Sequence, residues 1–425
     1  MPGGRGPCCV QTTLKSRLFP PTPFHTMNRL MTAGLLAASM STAALAQAPI
    51  KIGEINSYSA IPQFTQPYKQ GWQLAVEQIN AQGGLLGRQV EVIARDDAGK
   101  PEEALRHAVE LTSKEKVDVL AGGFLSNVGL APADHAQKNK RLFVASEPLT
   151  DAIVWDKGNR YTFRLRASTW MQSAMLVEEA AKLPAKRWAT IAPNYEYGQS
   201  AVASFKELLK AKRPDVEFVS EQWPALGKID AGSTLTATMA SKPDAIFNVT
   251  FGADLARLVR EGNQRSIFPK TPVVSLLSGE PEYLEVLKDE TPKGWIVTGY
   301  PWDQLDNKDH AAFAASYYKR FNENPKVGSV VGYATMQAIF AAINKAKSTD
   351  NEKLVTAMRG LKFSTPFGPA EFRAVDHQST MGAYVGKLDL RGHKGTMVDW
   401  RYADGKNYQP TDAYVKARRP AEAQK

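Results

Sequence analysis

Cysteine is nearly absent: the 425-residue chain holds two, Cys8 and Cys9, side by side near its start. Adjacent cysteines make a strained disulfide, and nothing nearby offers metal-ligand spacing, so no disulfide framework, metal site or cofactor is expected. Histidine is scarce as well. His107, His135, His310, His377 and His393 are scattered without ligand spacing and are read as surface or structural residues. The G-x-x-x-x-G-K-[ST], G-x-S-x-G and H-E-x-x-H signatures are missing, which removes the usual phosphate-loop, serine-hydrolase and zinc-protease chemistries. No catalytic residue is nominated, and the chain is read as a non-enzyme. Despite a net charge of +10, there is no basic block and no basic stripe interleaved with aromatics, so nucleic-acid binding is not supported.

Long apolar runs are missing too. Residues 27–46 read MNRLMTAGLLAASMSTAALA, with Met27, the positive Arg29, a short apolar run and Ala44-Leu45-Ala46 before Gln47. This is the layout of a secretory signal peptide cleaved after Ala46. The run is too short and too rich in Ser and Thr for a membrane span of about 20 apolar residues. No cysteine follows it, so a lipid anchor is not expected. Residues 1–26 are read as an upstream extension. Cleavage removes Arg5, Lys15, Arg17 and Arg29 and no acid, so +10 falls to +6.

Residues 47–425 are too many for one ordinary core and suggest two domains. From residue 50, short apolar strands (50–55, 89–94, 117–121, 142–145) alternate with helices at 68–80, 131–139 and one opened by Pro101. The rhythm restarts after Arg166, with helices at 173–182, 200–210, 234–240 and 255–261 and strands at 188–192, 216–220, 245–249 and 273–277. Strands alternating with helices predict parallel sheets covered on both faces, here two doubly wound α/β lobes. A strand at 295–299, helices at 311–321, 333–346 and 352–361, and late strands at 371–373, 383–389 and 396–402 are expected to complete the lobes.

Open α/β sheets bind ligands beyond the carboxyl ends of their strands. One such end reads Gly122-Gly123-Phe124-Leu125-Ser126-Asn127-Val128-Gly129 and feeds a helix, whose start favours negative charge. It reads equally well as a carboxylate site or as an ordinary strand-to-helix turn. The next strand end offers the hydroxyls of Ser146 and Thr150 beside Glu147. Pro193-Asn194-Tyr195-Glu196-Tyr197, Thr250-Phe251 and Tyr300-Pro301-Trp302 place aromatics at strand ends, as an apolar enclosing pocket needs. Asp96-Asp97 is read as turn and cap chemistry for the helix opened by Pro101.

These residues resemble the periplasmic solute-binding proteins of the leucine/isoleucine/valine-binding type, which serve ATP-driven importers. The resemblance runs from Ile50 to about Leu390. It is carried by Lys51-Ile52-Gly53, Ile79-Asn80-Ala81-Gln82-Gly83-Gly84-Leu85-Leu86-Gly87-Arg88, Asp96-Asp97, Asn194-Tyr195-Glu196-Tyr197-Gly198 and Asp376-His377-Gln378. It implies two Rossmann-like lobes, 47–166 with 300–375 and 167–299 with 376–425, joined by three hinge crossings and closing on a small carboxylate ligand. It also implies a periplasmic monomer with an inner-membrane permease as partner. Carried over by position, Ser126, Asn127 and Gly129 hold the ligand carboxylate, and Leu149 and Thr150 contact its carboxylate and amino groups. Phe64, Tyr195, Tyr197, Phe251 and Trp302 wall the pocket. Amino-acid binders of the family place an acid after the strand at 273–277, where Leu277-Ser278-Gly279-Glu280 stands here. Either Glu280 (or Glu147) meets a ligand ammonium, or the ligand has no amino group and is an aromatic or aliphatic acid. The alternative reading is a ligand sensor of the same fold that signals to a regulator or receptor. Expressed in a bacterium with its own export machinery, the chain is expected to accumulate outside the cytoplasm with Gln47 as its first residue. Mass spectrometry of the intact protein checks this.

Overall fold

The computed structural model describes residues 47–424, so the cleavage region and Cys8-Cys9 lie outside the described residues. The first half of the fold runs β1 (Ile50–Asn56), α1 (Pro62–Ala81), β2 (Val90–Asp96), α2 (Pro101–Ser113), β3 (Val119–Gly122), α3 (Ser126–Asn139), β4 (Phe143–Ala145) and β5 (Thr162–Arg164). These five strands form one parallel sheet in the order β2-β1-β3-β4-β5. β3 and β4 are buried at every position, as continuous apolar runs in doubly covered parallel sheets must be.

A second sheet follows. Its elements are α4 (Thr169–Ala180), β6 (Arg187–Ile191), α5 (Glu196–Lys212), β7 (Glu217–Gln222), α6 (Ala231–Ala240), β8 (Ala245–Asn248), α7 (Gly252–Gln264), β9 (Val273–Gly279), α8 (Pro281–Leu287) and β10 (Ile296–Gly299). The chain then forms α9 (Lys308–Phe321), α10 (Val327–Ala346), α11 (Asn351–Met358) and the hairpin β11 (Lys362–Thr365) and β12 (Gly368–Glu371). α9 and α10 pack on α1, and α11 and β11 pack on α10, so this group covers the first sheet. It returns as β13 (Ala383–Arg391) and β14 (Lys394–Ala403) and ends near α12 (Asp412–Lys416). β13 and β14 add antiparallel strands to the second sheet, whose order is β14-β13-β10-β9-β8-β6-β7. That sheet is therefore mixed rather than parallel throughout: β13 enters it from the third passage running against β10, and a tight turn sets β14 against β13.

The chain passes between the two sheets three times, after β5, after β10 and after β12. The first and third passages pair with each other: Arg164 N–H donates to His377 O at 3.0 Å, and Ser379 N–H donates to Arg164 O at 2.9 Å. Three departures from the sequence reading bear on the site. α1 begins at Pro62 rather than residue 68, with Pro at its first position and Pro67 inside it; the extra turn places Phe64. α8 is a short helix that no long periodic pattern announced. Asp96 and Asp97 cap no helix, since α2 opens at Lys100 without a side-chain cap. Their carboxylates accept instead from Ala98 and Gly99 N–H in the turn.

α10 is long and apolar enough to cross a membrane, yet 78 % of its apolar window is buried against the rest of the protein. It meets α1 so closely that a Cβ on Gly332 would lie 2.0 Å from Tyr68 O. An alanine there gains about 1 kcal/mol of helix propensity, but it must push two helix backbones apart, and overpacking of that kind costs about 1–3 kcal/mol or more. Gly332→Ala is therefore expected to lower stability, read as a fall in the denaturant midpoint at unchanged slope.

Candidate interlobe binding site

The carboxyl ends of β1, β3 and β4 face those of β6, β8 and β9 across a seam that several direct contacts cross. At its floor lies Arg166, in the first passage between the sheets. Its guanidinium donates to Glu147 Oε2 at 3.0 Å, from the end of β4, and to Glu280 Oε1, from the end of β9. The three side chains are 8 %, 3 % and 4 % exposed, so the charges are satisfied by one another rather than by water. Burial pushes the Glu147 carboxyl up to about 7 against the pull of Arg166. Burial likewise raises Glu280 well above the carboxylate range. Glu282, also buried, is raised by burial while its carboxylate accepts from Gly328 N–H at 3.0 Å at the start of α10. Glu147 Oε1, Glu282 Oε2 and the Tyr197 hydroxyl are buried without a hydrogen-bond partner.

Above this floor stands a cluster of rings from both sides. Phe64 lies 5.3 Å from Phe124, 5.4 Å from Tyr283 and 6.2 Å from Phe251, centroid to centroid. Phe251 in turn lies 5.9 Å from Tyr197 and 6.4 Å from Tyr195. Such spacings are those of attractive edge and tilted ring pairs. A pocket of about 210 Å³ opens beside Phe64, Tyr283 and Glu282, and a smaller space of about 20 Å³ borders Arg166 and Glu280.

The loop after β4 is held in place by buried charge. Arg164 donates to Gln378 Oε1 at 2.5 Å and to the carbonyls of Leu149 at 2.8 Å and Thr150 at 2.5 Å. Thr150 N–H donates to Ser126 Oγ at 3.2 Å, while its hydroxyl donates across the seam to Glu196 Oε1 at 2.6 Å. Asp151 N–H donates to Ser200 Oγ at 3.1 Å on α5.

Of the residues nominated from sequence, Phe64, Tyr195, Tyr197, Phe251 and Glu280 come together around the seam, and Ser126, Leu149 and Thr150 form its wall on the first sheet. Three serve differently. Asn127 is exposed. Gly129 makes room, because a Cβ there would lie 2.4 Å from Pro148 Cγ, so the residue admits the loop that carries Glu147. Trp302 makes no ring contact with the cluster and lines a separate groove. Sequence reasoning missed Arg166, Phe124, Glu282 and Tyr283. Phe124 stood inside the glycine-rich loop already singled out, and Glu282 and Tyr283 directly follow the Glu280 stretch; Arg166 carried no local signal.

One further buried acid beside this region adds to the pH dependence that the raised Glu147, Glu280 and Glu282 carboxyls create. Glu54, at the end of β1, accepts from the Tyr58 hydroxyl at 2.5 Å. Burial pushes its carboxyl up to about 8, with the Tyr58 and Asn56 hydrogen bonds opposing and Asp97 adding to the rise. A carboxyl raised on folding binds its proton more tightly in the native state, so its stabilising contribution is complete below about pH 4.5 and is lost as pH rises toward 8. Unfolding free energy is expected to fall across pH 5 to 8 with a slope of up to about 1.4 kcal/mol per pH unit for such a group. Glu54→Gln is expected to make that slope shallower, the remainder coming from Glu147, Glu280 and Glu282, read by denaturant titrations at several pH values.

Residues 49–396 match the family model described as periplasmic binding protein. The Leu/Ile/Val-binding protein homolog 7 of Brucella melitensis is 24 % identical over 400 residues, covering 89 % of this chain and 96 % of its own. A solute-binding protein of an ABC transporter from Rhodopseudomonas palustris, solved with 3,4-dihydroxybenzoic acid, superposes with TM-score 0.76 at 24 % identity, covering 84 % of this chain and 98 % of its own. An ABC-type branched-chain amino acid transporter structure from the same species superposes with TM-score 0.69 at 25 % identity, covering 85 % and 98 %. With the family model spanning most of its length and two facing α/β sheets joined by three passages, the chain belongs to the periplasmic binding protein family.

Proposed function

We propose that this protein is the extracytoplasmic solute-binding component of an ATP-driven importer, exported through the 27–46 signal peptide. It closes two lobes, 47–166 with 300–375 and 167–299 with 376–425, over a small acid with an apolar body. The observation that carries this reading is the ring cluster over the Glu147–Arg166–Glu280 floor, because its members come from both sides of the seam. Closing such a seam removes apolar ligand surface from water at about 25 cal/mol per Å² while the buried polar atoms fix orientation. The ligand leaves chemically unchanged, and a permease in the inner membrane receives it.

Charge favours a ligand that also carries an ammonium group. Glu147, Glu280 and Glu282 face the single Arg166, and Glu147 Oε1 is unpartnered. A buried carboxylate surplus is relieved either by protons or by a cation. An amino acid with a branched or aromatic side chain supplies that cation. The second reading, an aromatic acid without an amine, is supported by the ring cluster and by the dihydroxybenzoate-bound relative.

A thermal-shift panel of leucine, isoleucine, valine, phenylalanine, benzoate and 4-hydroxybenzoate tests the proposal. A ligand at about a hundred times its dissociation constant stabilises by roughly 2.7 kcal/mol. Phe251→Ala is expected to weaken the responding ligand by about tenfold or more, equivalent to about 1.4 kcal/mol. Calorimetric titration reads that change, and mass spectrometry recovers the ligand intact. A response confined to sugars, nucleotides or metal ions defeats the reading.

A further inference from the structure

The most spacious groove among the described pockets lies on the other face of α8 from the ring cluster. It encloses about 700 Å³, within the range of sites that take small organic molecules. Its apolar wall is made by Pro281 and Leu284 of α8, Trp302 in the second passage between the sheets, and Met397 of β14. Lys288, Arg391 and Lys394 stand around it, all exposed. The acids on the lining are Glu285 and Asp303, and Glu285 is already paired with Lys326 at 2.9 Å. The balance of free charge is therefore positive. Trp302, half-buried, presents a ring beside that charge, and an indole attracts flat apolar bodies as well as closing off water.

We infer that this groove is a second small-molecule site, distinct from the interlobe seam, which binds an aromatic carboxylate with its ring on Trp302 and its acid group toward Lys288 and Lys394. Asn324 lines the groove from the α9–α10 segment that packs on α1, and Lys326 of the same segment pairs with Glu285 on the lining, whereas α8 and the β13–β14 turn belong to the second sheet. An occupant thus touches both halves of the fold and binds the form in which they are together. By linkage, it strengthens ligand binding in the seam by the same factor that the seam ligand strengthens it.

The test uses the mature chain, residues 47–425, titrated calorimetrically with 2-naphthoate and with its neutral counterpart 2-naphthamide. All titrations are repeated in the Phe251→Ala background, which weakens binding in the seam and touches no residue of the groove, so that the two are told apart by their response. In that background the groove's affinity for 2-naphthoate is expected to be unchanged. Trp302→Ala and the double variant Lys288→Ala/Lys394→Ala are each expected to weaken it about fivefold or more, and the amide to bind more weakly than the acid by a similar factor. The two lysines are exposed, so their replacement tests the site even if Trp302→Ala lowers the melting temperature. Binding of 2-naphthoate that is unchanged by the double variant, binding lost altogether with Phe251→Ala, or absence of binding at millimolar probe overturns the proposal. None of these outcomes bears on whether the seam takes its own ligand, which the panel above reads separately.

Discussion

Arg166 sits between two glutamates drawn from the facing ends of two different sheets, and the geometry of the seam follows from that arrangement. A guanidinium is planar and permanently charged, and its fork can satisfy two carboxylates at once. Taking three charges out of water is expensive, and such a set is retained only when each member is paired. Glu147 must therefore hold the loop after β4 against the first passage, and Glu280 must hold the start of α8 there too. Loss of the arginine would strand buried carboxylates on both sides, a cost that runs to several kcal/mol in such networks. The position of the rings is a consequence: Tyr283 lies three residues past Glu280 on α8, and Phe124 lies in the loop that contacts the Glu147 segment.

A second buried cation performs the same task for the hinge. Arg164 is fully buried and bonds the carbonyls of Leu149 and Thr150 as well as Gln378 in the third passage. The main chain of the 149–150 loop is therefore anchored from behind, while the Thr150 hydroxyl reaches across the seam to Glu196. Arg419, just after α12, adds to this by donating to Val154 O, Asn159 O and Asp376 O, so that it ties the connection between β4 and β5 to the third passage. The fold thus relies on long cationic side chains, rather than on disulfides, to fix the segments that connect its halves.

Much of the fold was legible because periodicity and loop chemistry are local. The run from Ile79 to Arg88 is a case where the residues explain themselves: the Asn80 amide both donates to Val90 O and accepts from Val90 N–H, each at 2.8 Å. It docks the end of α1 to the start of β2, while Arg88 donates to Ala48 O and Pro49 O. Those residues serve the scaffold. The aromatic strand ends were legible for a related reason, since side chains beyond the carboxyl edges of parallel strands converge. Arg166, Glu282 and Tyr283 were not legible, because Arg166 joins Glu147 to a Glu280 that lies 114 residues away, and Glu282 and Tyr283 stand on a seven-residue helix too short to show a period. Trp302 stood at a strand end yet faces the other side of α8, because the chain turns there into the second passage. Position along a strand was readable; the side of a neighbouring helix to which a ring turns was not.

Several bonds join the two halves directly: Thr150 to Glu196, Asp151 to Ser200 and Lys326 to Glu285. Each lowers the energy of the shut clamshell by the same amount whether or not cargo is inside. Capture sharpens as a result, since apparent affinity scales with the fraction of molecules already competent to bind. The same bonds blunt the contrast between laden and idle molecules. On the proposed reading, a transporter that sensed shape alone would then fire more often on nothing, so the strength of these clasps would set a compromise between scavenging scarce solute and wasting ATP.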